Sequence, residues 1–223
     1  MARVIAIDGP SGSGKSATSR RVGQALGFLH VDSGALYRIM TWQCLAQGVE
    51  TSDPAAVAAC AERVQVECRP ENGAIAYYVD GEAPGARIRT PEINAHASPV
   101  ATVKAVRDRI TALLRGMTRY GDLVVEGRDI TTVVFPDSPA RFYLTASPEA
   151  RARRRQLEEV ATGVANQSAE AVKASLLARD AIDSTRAYAP LRKADGVLEI
   201  DSTQLTLDQV VETVLDALPA GWR

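Results

Sequence analysis

The chain has 223 residues, of which 46% are hydrophobic and 24% charged, and 26 Lys+Arg stand against 27 Asp+Glu for a net charge of −1. A chain of this length, between one and two domains by size, can bury a core without metal or disulfide staples. The balanced composition excludes a chain disordered throughout, or one held to nucleic acid or anionic membrane by bulk charge. Val4 to Ile7 is a short apolar run ending at Asp8-Gly9-Pro10, the pattern of a strand buried on both faces. Lys15 to Leu26 has helical spacing at Ala17, Val22, Ala25 and Leu26, and Gly27 stops it. Phe28 to Val31 is a second strand, ending at Asp32-Ser33-Gly34, and Ala35 to Ala46 a second helix, closed by Gly48. Residues 64–68 and 74–79, separated by Pro70-Glu71-Asn72-Gly73, suggest a hairpin, with a further turn at Asp80-Gly81. This antiparallel piece is polar enough to project from the main sheet. Leu123 to Glu126 and Phe142 to Leu144 are further buried strands, and a helix opens at Ser147 or Pro148. The polar, alanine-rich stretch 156–175, with Gly163 in its middle, is a candidate mobile lid. Val197 to Ile200 is a strand and Thr206 to Leu218 a last amphipathic helix. Such alternation predicts an α/β fold with a parallel sheet covered on both faces.

Gly9-Pro10-Ser11-Gly12-Ser13-Gly14-Lys15-Ser16 fits G-x-x-x-x-G-K-[ST] at every position, after a strand and opening a helix. Glycines let successive N–H groups point at phosphate oxygens, and the helix N-terminus adds positive charge. Lys15 is expected on the β- and γ-phosphates of ATP, and the Ser16 hydroxyl on Mg²⁺; Ala17 completes the ATP-binding set. The chain contains neither Asn-Lys-x-Asp nor Asp-x-x-Gly, the elements a signalling GTPase uses. A small-molecule kinase needs instead a second anion site with arginines. Arg38 and Arg128 follow strand ends, where ligands of such sheets bind. Arg151, Arg154 and Arg155 share a helical face that could close over a triphosphate as a lid.

Cys44, Cys60 and Cys68 form no Cys-x-x-Cys or Cys/His cluster, so neither a disulfide framework nor a zinc site is expected. No apolar run approaches the ~20 residues of a membrane span, and Val4 to Ile7 is too short for a signal-peptide core. A cytoplasmic location is the default expectation. His30 and His96 lack ligand-spaced partners, Trp42 reads as packing, and Tyr37 either packs the turn or flanks a nucleotide.

Gly9 to Ser16, Asp32-Ser33-Gly34-Ala35-Leu36-Tyr37-Arg38, Glu126-Gly127-Arg128-Asp129 with Thr132 to Pro136, and Arg179 through Arg186 to Leu191 together resemble the bacterial cytidylate kinases, over nearly the whole chain. The resemblance implies a P-loop kinase three-layer sandwich with a parallel sheet, a small antiparallel insertion and a helical lid. It implies a core over 1–58, 99–150 and 187–223, a monophosphate-binding insertion at about 59–98 and a lid at about 151–186. The implied reaction is phosphoryl transfer from ATP to CMP or dCMP with Mg²⁺, by a monomer that binds neither nucleic acid nor membrane. Carried over by position, Ser33, Arg107 and Asp129 read the cytosine, with Ser98 on the base or sugar side. Arg38, Arg128 and Arg186 hold the CMP phosphate, and with Lys15 form the catalytic set. Asp183, with Arg179 nearby, takes the sugar, and Asp32 orients a Mg²⁺-bound water. A carboxylate suits the N4 amine of cytosine and an arginine its N3 and O2, whereas the Ser33 hydroxyl can donate or accept. Thr131 stands where many members carry Gly. Two rival readings remain: another acceptor such as UMP, and a P-loop nucleic-acid-binding module.

Overall fold

All five residues of Val4–Asp8 (β1) are buried, as a strand covered on both faces must be. The computed structural model describes residues 2–161 and 168–223. The other strands are Leu29–Asp32 (β2), Val66–Glu71 (β3), Ala74–Val79 (β4), Leu123–Gly127 (β5), Ala140–Thr145 (β6) and Leu198–Asp201 (β7). They form one sheet in the order β3-β4-β2-β5-β1-β6-β7. Every neighbouring pair is parallel except β3 with β4. The helices are Lys15–Leu26 (α1), Ser33–Ala46 (α2), Pro54–Arg63 (α3), Pro91–Thr102 (α4), Lys104–Gly116 (α5), Pro148–Ala161 (α6), Ala169–Thr185 (α7) and Leu207–Asp216 (α8).

Side-chain alternation along β1 divides the core. Val4 and Ala6 join Leu36, Ile39, Cys60, Ile110 and Leu114 in the layer of α2, α3 and α5. Ile5 and Ile7 join Val22, Phe142, Val210 and Val214 in the layer of α1 and α8. The three-layer expectation therefore holds. β5 lies between β1 and β2, so the carboxyl ends of these strands bring Asp8, Gly127 and Asp32 to one rim of the sheet.

The hairpin does not project, contrary to the sequence expectation. It extends the main sheet, with His30 of β2 in register with Ala74 and its N–H donating to Gly73 O at 3.0 Å. The reason is apolar alternation: Ile75, Tyr77 and Val79 face the core, and the polarity resides on β3 and in the turns. Asn72 and Gly73 both have positive φ (48° and 76°), as a two-residue hairpin turn requires. β3 also runs three residues further than expected, through Arg69 and Pro70 to Glu71, and starts two residues later, at Val66. The closing pair Glu71–Ala74 is the hydrogen-bonded one in such a turn, so Pro70 faces its missing N–H away from β4. Tyr120 Oη donates to Cys68 O, on the same free edge, at 2.6 Å.

The polar stretch 156–175 is helical at both ends, because α6 continues to Ala161 and α7 begins at Ala169. Gly163 lies outside the described residues. Pro54 and Pro91 start α3 and α4 after the caps Asp53 and Thr90, whose side chains accept from backbone N–H groups. Cys44, Cys60 and Cys68 are buried free thiols. No helix among the described residues is long and apolar enough to cross a membrane.

Candidate active site

The loop between β1 and α1 is shaped by what glycine permits. A Cβ at Gly9 would stand 2.0 Å from Leu144 O, and Gly14 enters α1 with φ 94°. The first turn of α1 therefore aims its free N–H groups into the loop. Lys15 Nζ, buried, donates to Pro10 O at 2.8 Å. Burial first, and then the charge of Arg128, lowers its pKa to about 7, against the opposite pull of Glu126, Asp8 and Asp180. An anion placed in the loop would restore the charged form. Ser13 Oγ is buried with no hydrogen-bond partner. Ser16, exposed in the first turn of α1, is open to solvent. A cradle of this shape, with an unpartnered buried hydroxyl and a desolvated lysine, fits a polyphosphate and its metal ion.

α6 braces the loop from outside. Arg151 donates to Ser11 O at 3.1 Å, to Ala146 O at 3.2 Å, and to Asp180 of α7. Asp180 also accepts from Ser11 N at 3.3 Å. Arg154 reaches Ser13 O at 3.4 Å and Ser202 O at 2.6 Å. Of the three arginines expected in a lid, two thus grip the P-loop backbone in this state. Arg155 donates to Glu158 at 3.3 Å, and its charge acts on Arg179.

The expected acceptor residues come together from α2, α5, α7 and the segment after β5. Arg107 Nη2 lies 2.5 Å from Asp129 Oδ2, both side chains being buried. The Arg107 guanidinium stands 5.3 Å over the Tyr37 ring, so Tyr37 flanks this pair and also packs on the core. Arg128 Nε lies 3.0 Å from Asp183 Oδ2, and Arg186 Nη1 3.5 Å from Asp183 Oδ1. Arg186 also donates twice to Ala189 O, fixing the chain where Ala189 takes a left-handed φ of 49°. Arg179 is lowered to about 10 by burial and by the charges of Arg128 and Arg38. Cations crowded this closely call for an anion. Ser98 is buried on α4.

Two sequence expectations gain detail. The Ser33 hydroxyl donates to Glu126 O at 2.6 Å, which commits its proton and leaves it only able to accept. Asp32 caps α2 through Oδ1, accepting from Ala35 N at 3.0 Å, while Oδ2 lies 3.2 Å from Arg89. Burial opposes its ionisation, but Arg38, Arg89 and His30 outweigh that and hold its carboxyl below the usual range.

Asp8, Glu126, Asp180 and Arg89 also belong to the site and had not been assigned a role from sequence. Asp8 is detectable as the residue between the first apolar run and Gly9, and Glu126 as the last residue of the β5 run; Asp180 and Arg89 carry no local signal. His30 is buried with Nε2 at 3.3 Å from Glu126 Oε1, a core histidine with a carboxylate partner.

The sequence profile of the cytidylate kinase family matches residues 5–220. The chain is 45% identical to the cytidylate kinase of Streptomyces avermitilis, over 95% of this chain and 90% of that one. It is 40% identical to the cytidylate kinase of Shouchella clausii, over 95% and 94%. A crystal structure of an uncharacterized protein from Eubacterium ventriosum shares the fold at a TM-score of 0.51, with 10% identity over 96% of each chain. The chain belongs to the cytidylate kinase family, whose members are nucleoside monophosphate kinases.

Proposed function

We propose that this member of the cytidylate kinase family transfers the γ-phosphoryl group of ATP to CMP or dCMP, giving ADP and CDP or dCDP, as a cytoplasmic monomer. The observation that carries the reading is the buried Arg107–Asp129 pair just after the carboxyl end of β5. Asp129 can only accept, which suits the N4 amine of cytosine, and Arg107 donates to N3 or O2. Ser33, its proton committed to Glu126 O, is a second acceptor for an amine and not for the O4 carbonyl of uracil.

Lys15, Arg38, Arg128 and Arg186 would hold the two phosphates in line and neutralise the charge of the transferred group. Ser16 and, through water, Asp32 would hold Mg²⁺, which supplies further charge neutralisation on the triphosphate. Glu126, the penultimate residue of β5 and acting on Lys15 by its charge, is a second carboxylate facing the donor side. Asp183 and Arg179 would take the sugar and phosphate edge, with Ser98 behind the base. Closure of α6 and α7 would exclude water, without which ATP is hydrolysed.

Production of ADP from ATP with CMP, dCMP, UMP, AMP or GMP as sole acceptor tests this. Turnover with the cytidine nucleotides at least about tenfold above UMP is expected, from the cost of setting the O4 carbonyl of uracil against oxygens of Asp129 and Ser33 that can only accept. Equal turnover with UMP would overturn the base assignment.

A further inference from the structure

Asp8 is the last residue of β1, level with Gly127 of β5 and Tyr143 of β6, and it is 0% exposed. Both oxygens of its side chain accept from the segment that follows β5. Oδ1 accepts from Ile130 N at 2.8 Å. Oδ2 accepts from Thr131 N at 2.7 Å and from Thr131 Oγ1 at 2.6 Å. These N–H groups open a wide helical turn closed by Val134 N to Asp129 O at 3.1 Å and Phe135 N to Ile130 O at 2.8 Å. Leading N–H groups of a helical turn have no partner within it, so here the carboxylate takes them. Five-residue turns of this kind are rare and persist where something outside holds them. Immediately before the turn come Arg128 and Asp129, the latter at φ −143° and ψ 22°. A single carboxylate thus ties the strand that carries the P-loop to the turn that carries two acceptor residues.

We propose that Thr131 is a positioning residue for the acceptor nucleotide: its hydroxyl and N–H lock the Asp8 carboxylate, and the locked turn aims Asp129 and Arg128 across the P-loop. The proposal rests on the reading of Asp129 as the residue that meets the acceptor base. Backbone N–H groups alone would hold the carboxylate by one bond per oxygen. The hydroxyl adds a charge-assisted bond from a fully buried group, the stronger class of hydrogen bond. The groups whose charges face Asp8 are Lys15 from α1, Asp129 from the turn and Tyr143 from β6. Lys15 Nζ donates to Pro10 O, so the hydrogen bonds to the Asp8 carboxylate come from residues 130 and 131.

The experiment compares Thr131→Val, which keeps shape and N–H but loses the hydroxyl, with Thr131→Ser, which restores it. Calorimetric Kd values for CMP and ATP and steady-state kcat are measured on each variant, with Asp8→Asn as a second lesion of the same link. Thr131→Val is expected to weaken CMP by about fivefold or more, while ATP stays within about twofold. Thr131→Ser should return CMP affinity to within about twofold of the parent, and Asp8→Asn should weaken CMP more than ATP. A merely structural role would lower the active fraction and leave both Kd values alone, which overturns the proposal. So would a Thr131→Ser variant as weak as Thr131→Val. Unchanged CMP affinity in Thr131→Val of an active enzyme sinks this inference alone. A parent chain that binds no cytidine nucleotide sinks the acceptor reading and the inference with it.

Discussion

The two walls of the site are held by different forces. On the donor side, β1 and β5 lie between two apolar layers, and Ile5, Ala6, Ile7, Val124 and Val125 have no exposed surface. On the lid side, α6 and α7 share a cluster of three buried apolar residues, Ala152, Val172 and Leu176. Leu157 and Val160 remain 63% and 64% exposed. Polar contacts join α6 and α7: Arg151 with Asp180, which also bind the P-loop backbone, and Lys173 with Glu149 at 2.5 Å. Apolar burial fixes geometry at a cost of several kcal/mol per lost side chain. Of these contacts Lys173–Glu149 is exposed, a kind of pair that contributes about 1 kcal/mol or less, whereas Arg151–Asp180 is largely buried and costly to break by losing one partner. The donor wall is held by apolar burial, and the wall of α6 and α7 depends more on polar contacts.

The largest contrast concerns turnover. Lys15→Ala should cut kcat by about a thousandfold or more in a folded protein, because a cation in the cradle acts on the transferred group. Arg155→Ala, on the lid wall, should cost about tenfold. Near-parental turnover of folded Lys15→Ala would remove that lysine from the chemistry, and equal losses would erase the contrast.

Stability gives the next contrast. Ile7→Ala should lower the free energy of unfolding by about 3–4 kcal/mol. Leu176→Ala should lower it by about 2 kcal/mol, at the low end for a buried leucine, and speed amide exchange mainly within α6 and α7, as a locally opening unit. Urea midpoints and exchange rates on the two variants check this. A global loss from Leu176→Ala as large as that from Ile7→Ala would mean one cooperative body.

A smaller effect follows from Asp8, whose carboxyl burial pushes up to about 6 from 3.8, against the hydrogen bonds of Thr131 and Ile130. Between these values the unfolded chain has released the proton while the folded chain keeps it. Folding is therefore favoured below the window, and that contribution is lost as pH rises through about 6, by about 2–3 kcal/mol. Asp8→Asn should flatten this slope between pH 4 and pH 7. The same slope in parent and variant would assign it to other groups.

The donor wall was largely legible in the sequence, because continuous apolar runs mark β1, β5 and β6 and the glycine pattern marks the loop between β1 and α1. The hairpin was located but misplaced in space, since polar residues on its outer strand mask the alternation of Ile75, Tyr77 and Val79 that seats β4 beside β2. Helices α3 and α4 were not assigned: alanine dilutes the periodicity of α3, and Pro99 sits inside α4. The spacing of Val106, Ile110 and Leu114 in α5 is a usable signal that strand–helix alternation alone passes over. Asp8 and Asp180 were among the least legible residues of the site, unlike Asp32, Asp129 and Asp183. Asp8 meets Thr131 across 123 residues and Asp180 meets Ser11 across 169, and only the sheet order brings such segments together.

The free side of β3 bears on how the chain behaves in a crowded solution. An open strand edge is a template on which a foreign strand can crystallise its own backbone. Here the outward-facing positions are Val66, Cys68 and Pro70; the last offers no donor, and the carbonyl of Cys68 is already occupied by Tyr120. An incoming strand would find its ladder broken at two of three rungs. The folded chain should thereby resist growing into ribbons at high expression, and a Pro70→Val, Tyr120→Phe double variant should lose that resistance without touching the rim formed by the carboxyl ends of β1, β2 and β5.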